Sequence, residues 1–156
     1  MKKTFFILCL LAVALTSCDP GYSIDYQLIN SSGHTVTFAS VTNPDSLSFW
    51  FHHPNGITLE KSKDTVFFCS EGIGSATLER AKGMLSWEKV YGGMITFTFD
   101  DGKQLVYTQE EGNGPYDFEG DHYVWATKRG HFFLVYYDYY GRLSYTITEQ
   151  DYAQAR

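Results

Sequence analysis

The chain has 156 residues, with 18 acidic side chains against 12 basic, a formal net charge of −6 and three cysteines. That acidic balance leaves no electrostatic footprint for nucleic acid, so no nucleic-acid partner is expected. The length suits one domain with its own core, and at 17% aromatic content it has the side chains to fill one.

Met1-Lys2-Lys3 precedes twelve residues, Thr4 to Leu15, of which only Thr4 is polar. A membrane-crossing helix needs about 20 apolar residues, so this run is short for a span. A basic start, a short apolar core and then small residues describe a secretory signal peptide. Here the core ends in Leu15-Thr16-Ser17-Cys18. Residues 2–18 resemble the signal and lipobox of bacterial lipoproteins. The resemblance implies cleavage before Cys18 and acylation of its sulfur and of the new amino group. The plainer alternative is an ordinary signal peptide with an incidental cysteine. The expected organisation is a lipoprotein signal peptide at 1–17, a lipidated tether at 18–23 and a β-sandwich domain at 24–156. The expected location is the bacterial cell envelope, at the outer membrane. Asp19 and the interrupting Pro20 leave the leaflet and the periplasmic or surface face open. Without Lys2 and Lys3, 10 cations remain against 18 anions, a net charge near −8. The acyl chains, rather than charge, would therefore hold the protein to the membrane.

Beyond Pro20 the hydropathy alternates with period two. "SIDYQLIN" and "TVTFASV", separated by "NSSGH", read as a hairpin. "LSFWFHH" is a further strand, and "ITLE" and "TVFFCS" flank "KSKD" as a second hairpin. "MITFTFD" and "QLVYT" are joined by "DDGK", whose Asp-Gly is a strong hairpin signal. "HYVWATK", "HFFLVYYDY" and "LSYTIT" bring the count to about ten strands. "SATLERAKG" reads as a short helix with Ser75 as N-cap and Gly83 beyond its end, or as an irregular crossover. Thr148 with Asp151 three residues later resembles a capping box, predicting a C-terminal helical turn. The fold class expected is all-β, a single antiparallel sandwich, Ig-like or similar. The segments "IDYQLINSSGHTVTF", "ITFTFDDGKQLVYT" and "YTITEQDYAQA" together resemble small uncharacterised lipoproteins of Gram-negative bacteria. That group is thought to have β-sandwich domains and implies no catalytic residues.

Chemistry-bearing residues are sparse. Cys69 sits in an apolar strand, where a cysteine behaves as a small buried hydrophobe. His52 and His53 are neighbours on a predicted strand and so point to opposite faces. Asp121, His122 and His131 are weak metal candidates. Asp121 and His122, near Asp117 and Glu119, read as a solvated acidic loop at 110–122 or as part of an oxygen-ligand cation site, and His131 joins His122 as a zinc candidate only if their strands pair across "KRG". Asp100-Asp101 and Glu110-Glu111 lie in turns rather than across a cleft. No enzymatic motif is present, and no cofactor is expected.

The aromatic run "YYDYYGRLSY" stands out. Tyr136, Tyr137, Tyr139 and Tyr140 surround an expected turn at Gly141, with rings on both faces, and at least two phenols exposed. Tyrosine joins a flat apolar body to a polar tip and suits recognition surfaces. Such a run is instead core if "GNGPYDF" or another segment covers its second face. The sequence thus supports a membrane-anchored, non-catalytic binding module for a glycan or an envelope protein. The alternative is a small envelope hydrolase or metal-dependent enzyme using His122, His131 and nearby carboxylates.

Overall fold

The structure is a computed structural model and describes residues 20–41, 56–85, 93–132 and 134–156. The predicted strand "LSFWFHH", with His52 and His53, lies outside them. Eight strands are described: β1 Gly21–Asn30, β2 Val36–Val41, β3 Ile57–Leu59, β4 Asp64–Ile73, β5 Met94–Phe99, β6 Gln104–Thr108, β7 Tyr123–Phe132 and β8 Val135–Ile147. Two short helices accompany them, α1 Leu78–Met84 and α2 Glu149–Gln154, with a 3₁₀ turn at Gly114–Tyr116.

The strands form two four-stranded sheets, ordered β4-β1-β8-β7 and β3-β2-β5-β6. Alternation along each strand turns one face of each sheet inward. Ile24, Tyr26 and Leu28 of β1 join Leu143, Tyr145 and Ile147 of β8 on one side of a single core. Val36, Phe38, Ile95, Phe97 and Phe99 of the second sheet close it from the other side. Phe97 and Tyr145 meet across the middle with ring centroids 6.1 Å apart. Mostly strand and built as two layers around one core, the molecule fits a sandwich architecture.

Three sequence expectations are corrected. First, β1 and β2 do not form a hairpin, because they belong to different sheets, and the same holds for β3 and β4. Both connections are arches between layers. An arch keeps the same inward alternation as a hairpin, so periodicity does not separate them. What favours the arch is Asn30, fully buried at the end of β1. Its side-chain amide donates to the carbonyls of His34 (2.8 Å), Leu59 (3.1 Å) and Glu60 (3.0 Å), and its Oδ1 accepts from Ser32. Second, the sheet is not wholly antiparallel: β1 and β8 run parallel, with Ser23 opposite Tyr140 and Asn30 opposite Ile147. Third, the last three predicted strands are two. "KRG" lies inside β7, and Gly141 lies inside β8.

The β5–β6 hairpin forms as expected, with Thr98 opposite Gln104. The helix in "SATLERAKG" is real, but its N-cap is Thr77 rather than Ser75, and Gly83 lies within it. The C-terminal capping box is present. Thr148 accepts from the Asp151 amide, and Asp151 accepts from the Thr148 amide at 2.7 Å.

Candidate recognition surface

The tyrosine run occupies the first half of β8, which pairs with β7 from Tyr123↔Tyr145 to Phe132↔Val135. The register slips between Lys128 and Arg129: Lys128 faces Tyr140, whereas Arg129 faces Asp138. Tyr139 is thus an extra residue on β8, a β-bulge that brings adjacent side chains to one face. A Cβ on Gly130 would meet Tyr139 at 2.9 Å and Tyr137 at 3.0 Å, so both rings lie over that glycine. Lys128, two residues earlier and on the same face of β7, holds its ammonium 5.4 Å from the Tyr140 ring centroid. Tyr137, Tyr139 and Tyr140 therefore share the outer face of the sheet. Tyr136 points the other way, against His131 at 5.3 Å.

Beside the three rings lies a polar cluster. Tyr140 donates to Asp25 Oδ2 at 2.6 Å, while Arg142 Nη2 lies 2.6 Å from Tyr140 Oη and 3.4 Å from the same carboxylate. The hydrogen bond to Asp25 holds the Tyr140 phenol protonated, raising its pKa. Arg142 Nε is shielded from solvent without a hydrogen-bond partner. Ala126, Thr127, Lys128, Tyr140 and Arg142 line a concavity of about 260 Å³. Two cations, flat phenols and a single carboxylate spent on its neighbours can stack on and hydrogen-bond a ligand.

The remaining candidates disperse. His122, in the turn just before β7, and His131, near its far end, stand nine residues and roughly 30 Å apart along an extended strand. His122 is engaged in the fold: its Nδ1 donates to the Thr146 carbonyl at 2.8 Å, and its ring stacks on Tyr145 at 5.3 Å. Asp121 is exposed. Among the described residues no group of three or more His, Cys, Asp or Glu is placed to hold a metal ion. The expectation that "KRG" would bring the two histidines together fails because it extends the strand instead of turning it. Cys69 is corrected too: it is exposed on the outer face, 3.4 Å from Ser23 Oγ. Partial burial pushes its thiol pKa up, which makes it a poor nucleophile at neutral pH.

Other concavities carry less chemistry. One, about 710 Å³, lies along β6 and α2 and is lined mainly by residues of the edge strand and the chain end, among them Glu111 and Arg156. The segment "GNGPYDF" does not cover the tyrosine run. Pro115 accepts from Tyr123 Oη at 2.7 Å and Phe118 packs on Tyr123 at 5.0 Å, at the far end of β7. Asp25, Lys128 and Arg142 were not singled out in the sequence. Their signal was only their alternation with apolar residues, which any solvent-facing strand shares.

No family model matches the chain, and no curated protein or solved structure matches it. Among the described residues no helix is long and apolar enough to cross a membrane.

Proposed function

We propose that this chain is a lipid-anchored, non-catalytic binding module of the bacterial cell envelope, and that its ligand is a glycan held on the outer face at Tyr137, Tyr139 and Tyr140. The observation that carries the reading is the bulge opposite Lys128, which gathers three phenols on one side of the strand. Flat rings flanking a concavity of about 260 Å³ suit the apolar face of a sugar ring. Lys128 and Arg142 favour a ligand with acidic or hydroxyl-rich edges. The lipobox at Leu15–Cys18 supports anchorage through acylated Cys18 in the outer membrane. Catalysis has no support from the dispersed histidines, so the hydrolase reading is not carried forward.

The test is an oligosaccharide array probed with the intact chain and with Tyr139→Ala and Arg142→Ala. Each substitution is expected to weaken binding roughly ten-fold, or about 1.4 kcal/mol, while leaving the thermal midpoint within a degree or two. A fall of several degrees in the midpoint would assign the rings to packing instead. Binding of an envelope protein with no glycan signal would move the same surface to a protein ligand.

A further inference from the structure

The parallel pairing of β1 with β8 has a geometric consequence at one end of the molecule. β1 starts where the β7–β8 hairpin leaves the sheet, since Ser23 pairs with Tyr140 and the earlier part of β8 pairs with β7 alone among the described strands. One short segment ties the two together. Gly74 donates to the Pro20 carbonyl at 2.7 Å, and Ala76 donates to the Asp138 carbonyl at 2.5 Å. From that common base the hairpin projects outward. Its tip is the most exposed apolar patch described: Leu134 is 94% exposed, Val135 65% and Tyr136 76%. Exposed apolar side chains clustered at one tip mark a contact surface, whereas singly scattered ones do not.

The chain outside the described residues says what lies there. Cys18 stands two residues before Pro20, so it reaches at most about 7 Å from that base, whereas Leu134, four residues before Asp138, extends about 13 Å along its strand. Pro20 and the tip thus mark the same end of the sandwich, and the tip projects farther than the two residues back to Cys18 can span. We infer that the β7–β8 hairpin tip is a second membrane contact, with Leu134, Val135 and Tyr136 entering the interfacial layer of the bilayer that holds the Cys18 lipid. The inference rests on the lipid-anchor reading of Cys18.

The chemistry fits an interface. Tyrosine settles at the headgroup level with its ring in and its hydroxyl out. Leu134 and Val135 supply apolar surface without charge. Besides its tyrosines, the projecting hairpin carries Lys128, Arg129, His131 and Asp138, and Arg129 Nε sits 3.1 Å from Asp138 Oδ1, so the hairpin carries no net negative charge to oppose the approach. Two contacts at one end orient the protein, where a lipid on a short tether alone would let it tumble. The outer face with Tyr137, Tyr139 and Tyr140 then stands edge-on to the membrane near its surface.

The test uses the full chain, expressed with its own signal segment, purified in detergent and returned to vesicles of phosphatidylethanolamine and phosphatidylglycerol. In a Cys69→Ser background, an environment-sensitive dye is placed at Leu134→Cys or at Lys61→Cys, in the turn before β4 at the opposite end. Mass measurement of the purified chain reports acylation at Cys18 independently. The expected result is an acylated chain whose dye at 134 is blue-shifted and quenched several-fold more by headgroup-proximal nitroxide lipid than the dye at 61. Val135→Asp should abolish the difference without detaching the acylated chain from the vesicles. Equal quenching at both positions in an acylated chain overturns the inference and leaves the anchor standing. An unacylated chain overturns both. A blue shift that depends on protein concentration, without lipid quenching, assigns the tip to a second copy and overturns the membrane contact.

Discussion

Gly141 illustrates how a single residue serves the fold in a way its type does not announce. In the sequence it marks a turn. In the structure it is buried mid-strand, because Trp125 on β7 lies across it, and a Cβ there would overlap the indole. A glycine inside a strand often marks such a close approach. Trp125 packs against the core from the rim of the sheet, so the ring cannot withdraw without uncovering it. Gly141→Ala is expected to destabilise the fold by about 1–3 kcal/mol through overpacking, seen as a lower urea midpoint with an unchanged slope. Cys69 makes the complementary point. Its neighbours in "TVFFCS" are apolar, yet the alternation of β4 turns it outward beside Asp25, with which it pairs in register.

Two β-bulges resolve what the sequence left contradictory at the level of elements. "TVFFCS" and "YYDYYG" each place bulky rings at adjacent positions, which a regular strand must send to opposite faces. The β1–β4 register slips between Tyr26 and Gln27, leaving Phe67 as the extra residue, and Phe67 and Phe68 are both buried. The slip opposite Lys128 does the reverse and gathers tyrosines outside. The arch from β1 to β2 depends similarly on one side chain. Asn30→Ala would leave the carbonyls of His34, Leu59 and Glu60 without that donor. A buried group left unsatisfied costs about 1–3 kcal/mol. The expected outcome is a lower thermal midpoint, with faster amide exchange at Asn30–Thr35 before the sheets themselves open.

Across the whole molecule, tyrosines close the core at its polar boundaries. Tyr107 on β6 donates to buried Asp151 of α2 at 2.7 Å, joining the second sheet to the C-terminal helix. Burial, reinforced by that carboxylate, pushes the Tyr107 pKa far above the ordinary phenol range. Burial alone raises Tyr116 to about 12 from 10.0. Both groups have folded pKa values above their unfolded ones, so the fold favours the neutral phenol. The Tyr116 contribution is fully present below the unfolded value near 10 and is lost as pH rises from there through about 12, while that of Tyr107 starts to fall at the same point and goes on falling beyond it. Thermal midpoints should hold from neutrality to about pH 9.5 and then fall steeply. Tyr116→Phe should make that fall shallower, because one ionisable phenol of the pair is gone.

Much of this was legible in one dimension. The period-two alternation in "SIDYQLIN" and "MITFTF", the Asp-Gly turn and the Thr148–Asp151 box are local signals. Each depends on residues a few positions apart, and each element formed where they stood. Pairing was not legible, because an inward-facing alternation is equally satisfied by a hairpin within one sheet or an arch between two. Nor was the parallel junction of β1 with β8, which joins residues more than a hundred positions apart. The outer surface depended on that tertiary arrangement most of all. Asp25 meets Tyr140 and Arg142 only because β1 lies beside β8, and the three tyrosines share a face only because the strand register slips by one residue.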